Sequence, residues 1–160
     1  MLRSMTPKTP HIVVIGAGFA GIAACQALRN SAVKVSLVDR QNHHVFQPLL
    51  YQVATAALSP ADIAHPIRSI FRKQENLRVY LGEAVKVDLA EKQVEFHGGS
   101  TSFDYLILAA GATHSYFGRD DWNGEAPGLK SLDDATEIRK RILLAFEEAE
   151  YEGDLESRRA

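Results

Sequence analysis

Three glycines and one acid carry the strongest chemical signal in this chain: Gly16, Gly18 and Gly21 in the pattern G-x-G-x-x-G, then Asp39, 18 positions past the last glycine. Their chemistry is binding rather than bond-breaking. A glycine turn that opens a helix presents free amides and roughly +0.5 charge at the helix start, which suits a pair of phosphates. An acid at the tip of the next strand can accept hydrogen bonds from the two hydroxyls of a ribose. The ligand class that needs both is a dinucleotide. Gly16 lets the backbone turn sharply, Gly18 leaves room for a pyrophosphate to approach, and Gly21 lets the helix lie close to the strand. Phe19 and Ala20, between the glycines, complete the cradle, and Arg40 follows the acid directly.

These residues work only if a strand, a helix and a second strand hold them. Ile12 to Ile15 is a short apolar run rich in β-branched residues, as expected of a parallel strand covered on both faces. A helix is predicted from about Phe19 to Asn30, and a second strand over Val33 to Val38. The fold class is α/β: a Rossmann-like domain with a parallel sheet and flanking helices.

Further along, a helix is predicted from Leu49 to about Leu58. Ser59, Pro60 and Asp62 then supply an N-cap, an N1 proline and an N3 acid, so a second helix is expected to run to about Lys73. Leu77 to Leu81 reads as a strand. Val85, Val87, Val94 and Phe96 alternate around the turn signal Gly98-Gly99, predicting a small β-hairpin or meander. Tyr105 to Ala110 is continuously apolar and reads as a buried strand rejoining the parallel sheet, with small residues after it that leave space for a ligand. Ser131 with Asp134 opens a last helix whose apolar stripe is Ala135, Ile138, Ile142, Ala145, Phe146 and Ala149.

The 160 residues, 46% apolar and 24% charged, are those of an ordinary globular domain. A net charge of -2 gives no reason to expect nucleic acid or an anionic membrane as partner. The single cysteine, Cys25, excludes an internal disulfide or a C-x-x-C motif and is expected to be a buried structural thiol. No run reaches the length of a membrane span, so the chain is expected to be soluble. Residues 1–10 read as a disordered arm. Adjacent His43 and His44 point to opposite sides of an extended backbone and make a poor metal site.

Several segments closely resemble the N-terminal part of type II NADH dehydrogenases: GAGFAG, HHVFQPLLYQVATAALSPADIA, YLILAAGATHSYFG and PGLKSLDDATEIRKRILLAFEEAE. These are flavin-dependent NADH:quinone oxidoreductases of the two-dinucleotide-domain flavoprotein superfamily. The resemblance implies that the glycine motif faces the pyrophosphate of FAD and that Asp39 holds the adenosine ribose, where many relatives carry Glu. It places Asn42 to Leu50 past the flavin, with Gln47 and Pro48 nearest the ring, and offers the Ala84 backbone to adenine. Ala110 and Gly111 match an Ala-Thr-Gly segment that closes over the cofactor, with Ala110 in place of the Thr. No redox cysteine pair lies between Asp39 and Leu58, which implies direct transfer from flavin to a quinone; no catalytic side chain is named.

The same resemblance implies a fragment: 11–128 as the first part of an FAD-binding domain, and 129–160 as a helix and tail leading toward an NAD(P)H-binding domain. The chain is expected to be cytoplasmic and its parent peripheral on the cytoplasmic membrane; the fragment alone is expected not to turn over NADH and to hold FAD weakly or not at all. Two other readings stay open. One is an NADP-binding Rossmann module, with Arg40 pairing a 2′-phosphate. The other is a non-catalytic remnant. A short-chain dehydrogenase does not fit, because no Tyr is followed by Lys four positions on.

Overall fold

A computed structural model describes residues 8–153. The residues beyond those limits, including most of the expected N-terminal arm and the end of the tail, lie outside the described region. The Ile12–Ile15 run lies within β1 (His11–Ile15), and all four of its residues are buried. After it come α1 (Phe19–Ala27), β2 (Lys34–Asp39) and β3 (His43–Val45). A single 3-10 turn (Gln47–Leu49) precedes α2 (Leu50–Ala54), α3 (Pro60–Ile63), β4 (Ala64–Pro66) and α4 (Ile67–Ile70). The strands β5 (Leu77–Leu81), β6 (Ala84–Asp88), β7 (Gln93–Phe96), β8 (Gly99–Ser102) and β9 (Tyr105–Leu108) follow. A second 3-10 turn (Asp120–Gly124) leads to α5 (Leu132–Tyr151).

The chain divides into two compact units. The first runs to His44 and resumes over His65–Gly111; the second takes Val45–Ala64 and the chain from Ala112 onward. The first unit is built on a four-stranded sheet in the order β5-β2-β1-β9, in which every pairing is parallel. Alternate residues of β1 point to opposite faces, and both faces are covered. Ile12 and Val14 pack with Cys25, Leu37, Ile67 and Phe71, while Val13 and Ile15 pack with Val38, Val94, Phe96 and Phe103. Val94 and Phe96 of the second group come from β7 of the antiparallel β6-β7-β8 meander that the alternation around Gly98-Gly99 predicts, and Phe103 follows its last strand.

Four expectations need correction. The first helix stops at Ala27 rather than near Asn30. Its last carbonyls are taken by side chains: Gln74 Nε2 donates to Cys25 O at 2.9 Å and Asn76 Nδ2 to Leu28 O at 3.0 Å. These bonds end the helix by satisfying its orphan acceptors. The helix expected over Leu49 to Leu58 ends at Ala54, because Ala56 takes a left-handed φ of 64° and the amides of Ala56 and Ala57 close back on Val53 and Gln52.

The helix expected from Ser59 to Lys73 is broken. Its start is as predicted, with Ser59 and Asp62 forming a reciprocal capping box. It then opens into an extended stretch at Ala64–Pro66 and resumes for one turn at Ile67–Ile70. Pro66 lacks an N–H and pushes the residue before it out of the helical region.

The apolar strand Tyr105–Leu108 does rejoin the parallel sheet, with Ile12 opposite Tyr105, but it is not buried. Among the described residues it is an edge strand, with one neighbour, and Tyr105 and Leu108 are 64% and 69% exposed.

The second unit centres on Leu50, Val53, Ala54, Ile63 and Ala135. α5 opens on Ser131, whose hydroxyl accepts from Asp134 N at 3.1 Å while the Asp134 carboxylate accepts from the Ser131 and Lys130 amides at 2.9 Å. Only the first two turns of its apolar stripe pack: Ala135 is fully buried, whereas Phe146 is 70% exposed. At about 1.5 Å per residue, this 20-residue helix outruns its short packing partners.

Partial burial pushes the Asp134 carboxyl up, but the Lys130 and Ser131 amides, the Ser131 hydroxyl and His114 outweigh it and hold the group below the usual carboxylate range. A depressed folded value means that this stability is present above the unfolded value and is lost as pH falls through the folded one. Ser131→Ala is expected to destabilise the chain by about 1 kcal/mol. The drop should show in thermal melts near neutrality and shrink in acid. A melt unchanged at pH 7 would mean that the cap contributes nothing.

Candidate functional site

The loop between β1 and α1 is held by close approach at two of its glycines and is open at the third. Gly16 has φ 100° and donates its amide to Val38 O at 2.8 Å. A Cβ at Gly16 would fall on the Ala109 carbonyl, just past β9. Gly21 is buried, and a Cβ there would fall on the Gly16 carbonyl oxygen. Gly18 differs: a Cβ added to it meets nothing within 4 Å. Gly18 is the N-cap of α1, no side chain caps that helix, and no acid lies in its first turn. Phe19 and Ala20 are exposed on the same turn.

Asp39 is half-buried at the end of β2, and its carboxylate faces this loop. Oδ2 accepts from Ala17 N at 2.5 Å and Oδ1 from Gln41 N at 2.7 Å. Each oxygen keeps a second lone pair for a further donor. The Asp39 carbonyl accepts from Gly82 N at 2.8 Å, which ties the end of β2 to the turn after β5.

The other residues singled out by sequence are distributed as follows. Arg40 is exposed beside Asp39. Asn42 is exposed; its carbonyl accepts from Ile67 N at 3.0 Å and its Oδ1 lies 3.0 Å from His43 Nδ1. Ala84 is half-buried as the first residue of β6, opposite Phe96. Ala110 and Gly111 are exposed just past β9, with Gly111 at φ 73°. All of these belong to the first unit. Gln47 and Pro48 belong to the second, in the 3-10 turn, where Gln47 Nε2 donates to Lys130 O at 3.4 Å.

Sequence reasoning missed the histidines. His44 Nδ1 lies 2.9 Å from the Ala17 carbonyl, so the loop is tied to β3 as well as to β2. His43 Nε2 is buried with no hydrogen-bond partner. No spacing rule joins His44 to Ala17, 27 positions apart, so only the fold reveals the contact.

Cys25 lies on the covered side of α1, fully buried, and burial pushes its thiol up to about 11. At pH 8 about one thiol in a thousand is then ionised. Alkylation by iodoacetamide is expected to be negligible in the folded chain and fast after denaturation. Rapid labelling of the native protein would overturn that assignment.

A parallel sheet, a glycine turn opening the first helix and an acid ending the neighbouring strand define the α/β architecture of FAD- and NAD-binding oxidoreductases. Comparison with known proteins agrees. The family model described as pyridine nucleotide-disulphide oxidoreductase matches residues 10–145, and the chain belongs to that family. It is 48% identical to the type II NADH:quinone oxidoreductase Ndh of Mycobacterium tuberculosis over 95% of its own length and 34% of the relative's. It is 25% identical to the solved structure of NDH2 from Plasmodium falciparum, with a TM-score of 0.81, covering 92% of this chain and 31% of that one. The sulfide:quinone oxidoreductase of Aquifex aeolicus is similar at 25% identity and TM-score 0.78, covering 87% and 33%. The chain thus spans about a third of the length of the curated relatives it matches.

Proposed function

We propose that this chain is the FAD-binding portion of an oxidoreductase that passes electrons from NADH through FAD to a quinone. The observation that carries the reading is the open side of Gly18: a turn locked at Gly16 and Gly21, uncapped at the helix start, with the Asp39 carboxylate on the adjoining amide. The residues fit a dinucleotide on those grounds. The amides of Gly18, Phe19 and Ala20 take the diphosphate, and the spare lone pairs of Asp39 take the ribose hydroxyls. Arg40 and Asn42 flank that sugar, the Ala84 backbone meets the adenine edge, and Ala110 and Gly111 close over the cofactor. Gln47 and Pro48 are assigned to the flavin ring.

FAD, when bound, supplies hydride acceptance and electron transfer. The chain's own contribution is binding, orientation and electrostatics. The relatives named for quinone reduction support the acceptor class, and the M. tuberculosis relative supports NADH as donor. Peripheral association of the parent protein with the cytoplasmic membrane is part of the same proposal. Among the described residues no helix is long and apolar enough to cross one.

The test is an absorbance spectrum of the purified chain followed by titration with FAD, NADH and NADPH. Saturable FAD binding, however weak in a chain a third of its relatives' length, with quenched flavin fluorescence, is the result that supports this reading. Preference for NADPH over FAD would replace this reading with an NADP module, and binding of none of the three would leave a ligand-free remnant.

A further inference from the structure

We propose that His44 is a positioning residue of the dinucleotide turn: it holds the Ala17–Gly18 peptide so that the Gly18 amide is aimed at the diphosphate. The ligand in this proposal rests on the FAD reading above. His44 lies on β3, and its Nδ1 is 2.9 Å from the Ala17 carbonyl oxygen. A carbonyl only accepts, so Nδ1 carries the proton and the turn selects the tautomer. The ring also meets Phe19 edge-on, with centroids 5.1 Å apart at 84°.

Ala17 is 3% exposed, so both of its backbone polar groups need partners inside the protein. Asp39 takes the N–H and His44 takes the C=O. The second contact matters most for binding. The Ala17 C=O and the Gly18 N–H belong to one planar trans peptide and point in opposite directions. Fixing the carbonyl on the imidazole therefore fixes the amide on the far side. The Phe19 contact steadies the first helical residue in the same way. The adjacent His43-His44 pair, unpromising as a metal site, thereby acquires a role through His44.

Two substitutions separate positioning from packing. His44→Phe keeps an aromatic ring against Phe19 and removes the donor. His44→Asn places an amide N–H where Nδ1–H stood. Binding of FAD and of ADP to the chain is read by calorimetry, alongside thermal melts. His44→Phe is expected to weaken both ligands about tenfold. His44→Asn is expected to return to within about threefold of the parent. Affinities in His44→Phe equal to the parent's, or a His44→Asn variant as weak as His44→Phe, would overturn the proposal. Melting temperatures alone do not decide it, since any packing residue would move them. Two readouts need no ligand: nitrogen-15 shifts of the imidazole should show the Nδ1–H tautomer, and the Gly18 amide resonance should shift or broaden in His44→Phe as its peptide loses its fixed orientation. An Nε2–H tautomer, or an unchanged Gly18 resonance, overturns the clamp. If the parent binds neither FAD nor ADP, the FAD reading falls and these two signals decide the clamp by themselves.

Discussion

Gly21→Ala is expected to cost about 3 kcal/mol or more, the upper end for overpacking, and to remove detectable FAD binding. The single added carbon falls on the Gly16 carbonyl oxygen, a backbone atom that no rotamer change can move aside. Nor is the Gly16 side of the turn free to retreat, because its own missing Cβ is matched to the Ala109 carbonyl. Helix, turn and the end of β9 are therefore stacked at backbone distance. The clash can be relieved only by lifting α1 off the sheet, which opens the core around Cys25, or by unwinding the turn. At about 2–4 °C per kcal/mol for a chain of this size, the melt should fall by roughly 10 °C. Gly18→Ala is the matching control. Its Cβ meets nothing within 4 Å and its φ of −71° suits any residue, so the fold should be unaffected. The same methyl would stand in the approach to the diphosphate, and FAD binding should weaken at least about tenfold with an unchanged melt. A Gly18→Ala chain that binds FAD as well as the parent would remove the reason for placing a ligand there.

That contrast shows which parts of the molecule could be read in advance. The strand–turn–helix–strand core was legible because each feature has a local cause: β-branched residues covered on both faces, glycines at the turn, an acid at the strand end. The capping boxes at Ser59 and Ser131 were legible for the same reason. Where a nonlocal partner decided the outcome, sequence reasoning failed. α1 ends early because Gln74 and Asn76, about 50 residues away, take its last carbonyls. β9 is exposed because burial depends on how many neighbours a strand acquires, which its apolar composition does not state. The broken helix differs, since Pro66 was in plain view and its missing N–H should have outweighed the spacing of Ile63, Ile67 and Ile70. In the site, the glycines and Asp39 were legible from spacing, whereas His44 was not, because a helix and a strand lie between it and the carbonyl it meets, 27 positions back.

Asp39→Ala should weaken ADP and FAD roughly tenfold to a hundredfold through lost charge-assisted bonds to the ribose. The structure adds a complication that spacing alone does not predict. Asp39 also accepts from the Ala17 and Gln41 amides, and Ala17 is buried, so removing the carboxylate strands a donor at a cost of about 1–3 kcal/mol. Loss of affinity in Asp39→Ala therefore mixes a damaged turn with a lost ribose contact. Asp39→Asn does not separate them, because its amide nitrogen would be set against one of the two N–H donors. A second change on the ligand does. Comparing ADP with 2′-deoxy-ADP on both proteins forms a cycle in which the turn's damage is common to both ligands and cancels. If Asp39 holds the 2′-hydroxyl, the parent should prefer ADP by about tenfold and Asp39→Ala should show almost no preference. Turn distortion alone would weaken both ligands equally and leave the preference intact. A preference that survives in Asp39→Ala would confine the acid to bracing the Ala17 amide and leave the sugar to another group.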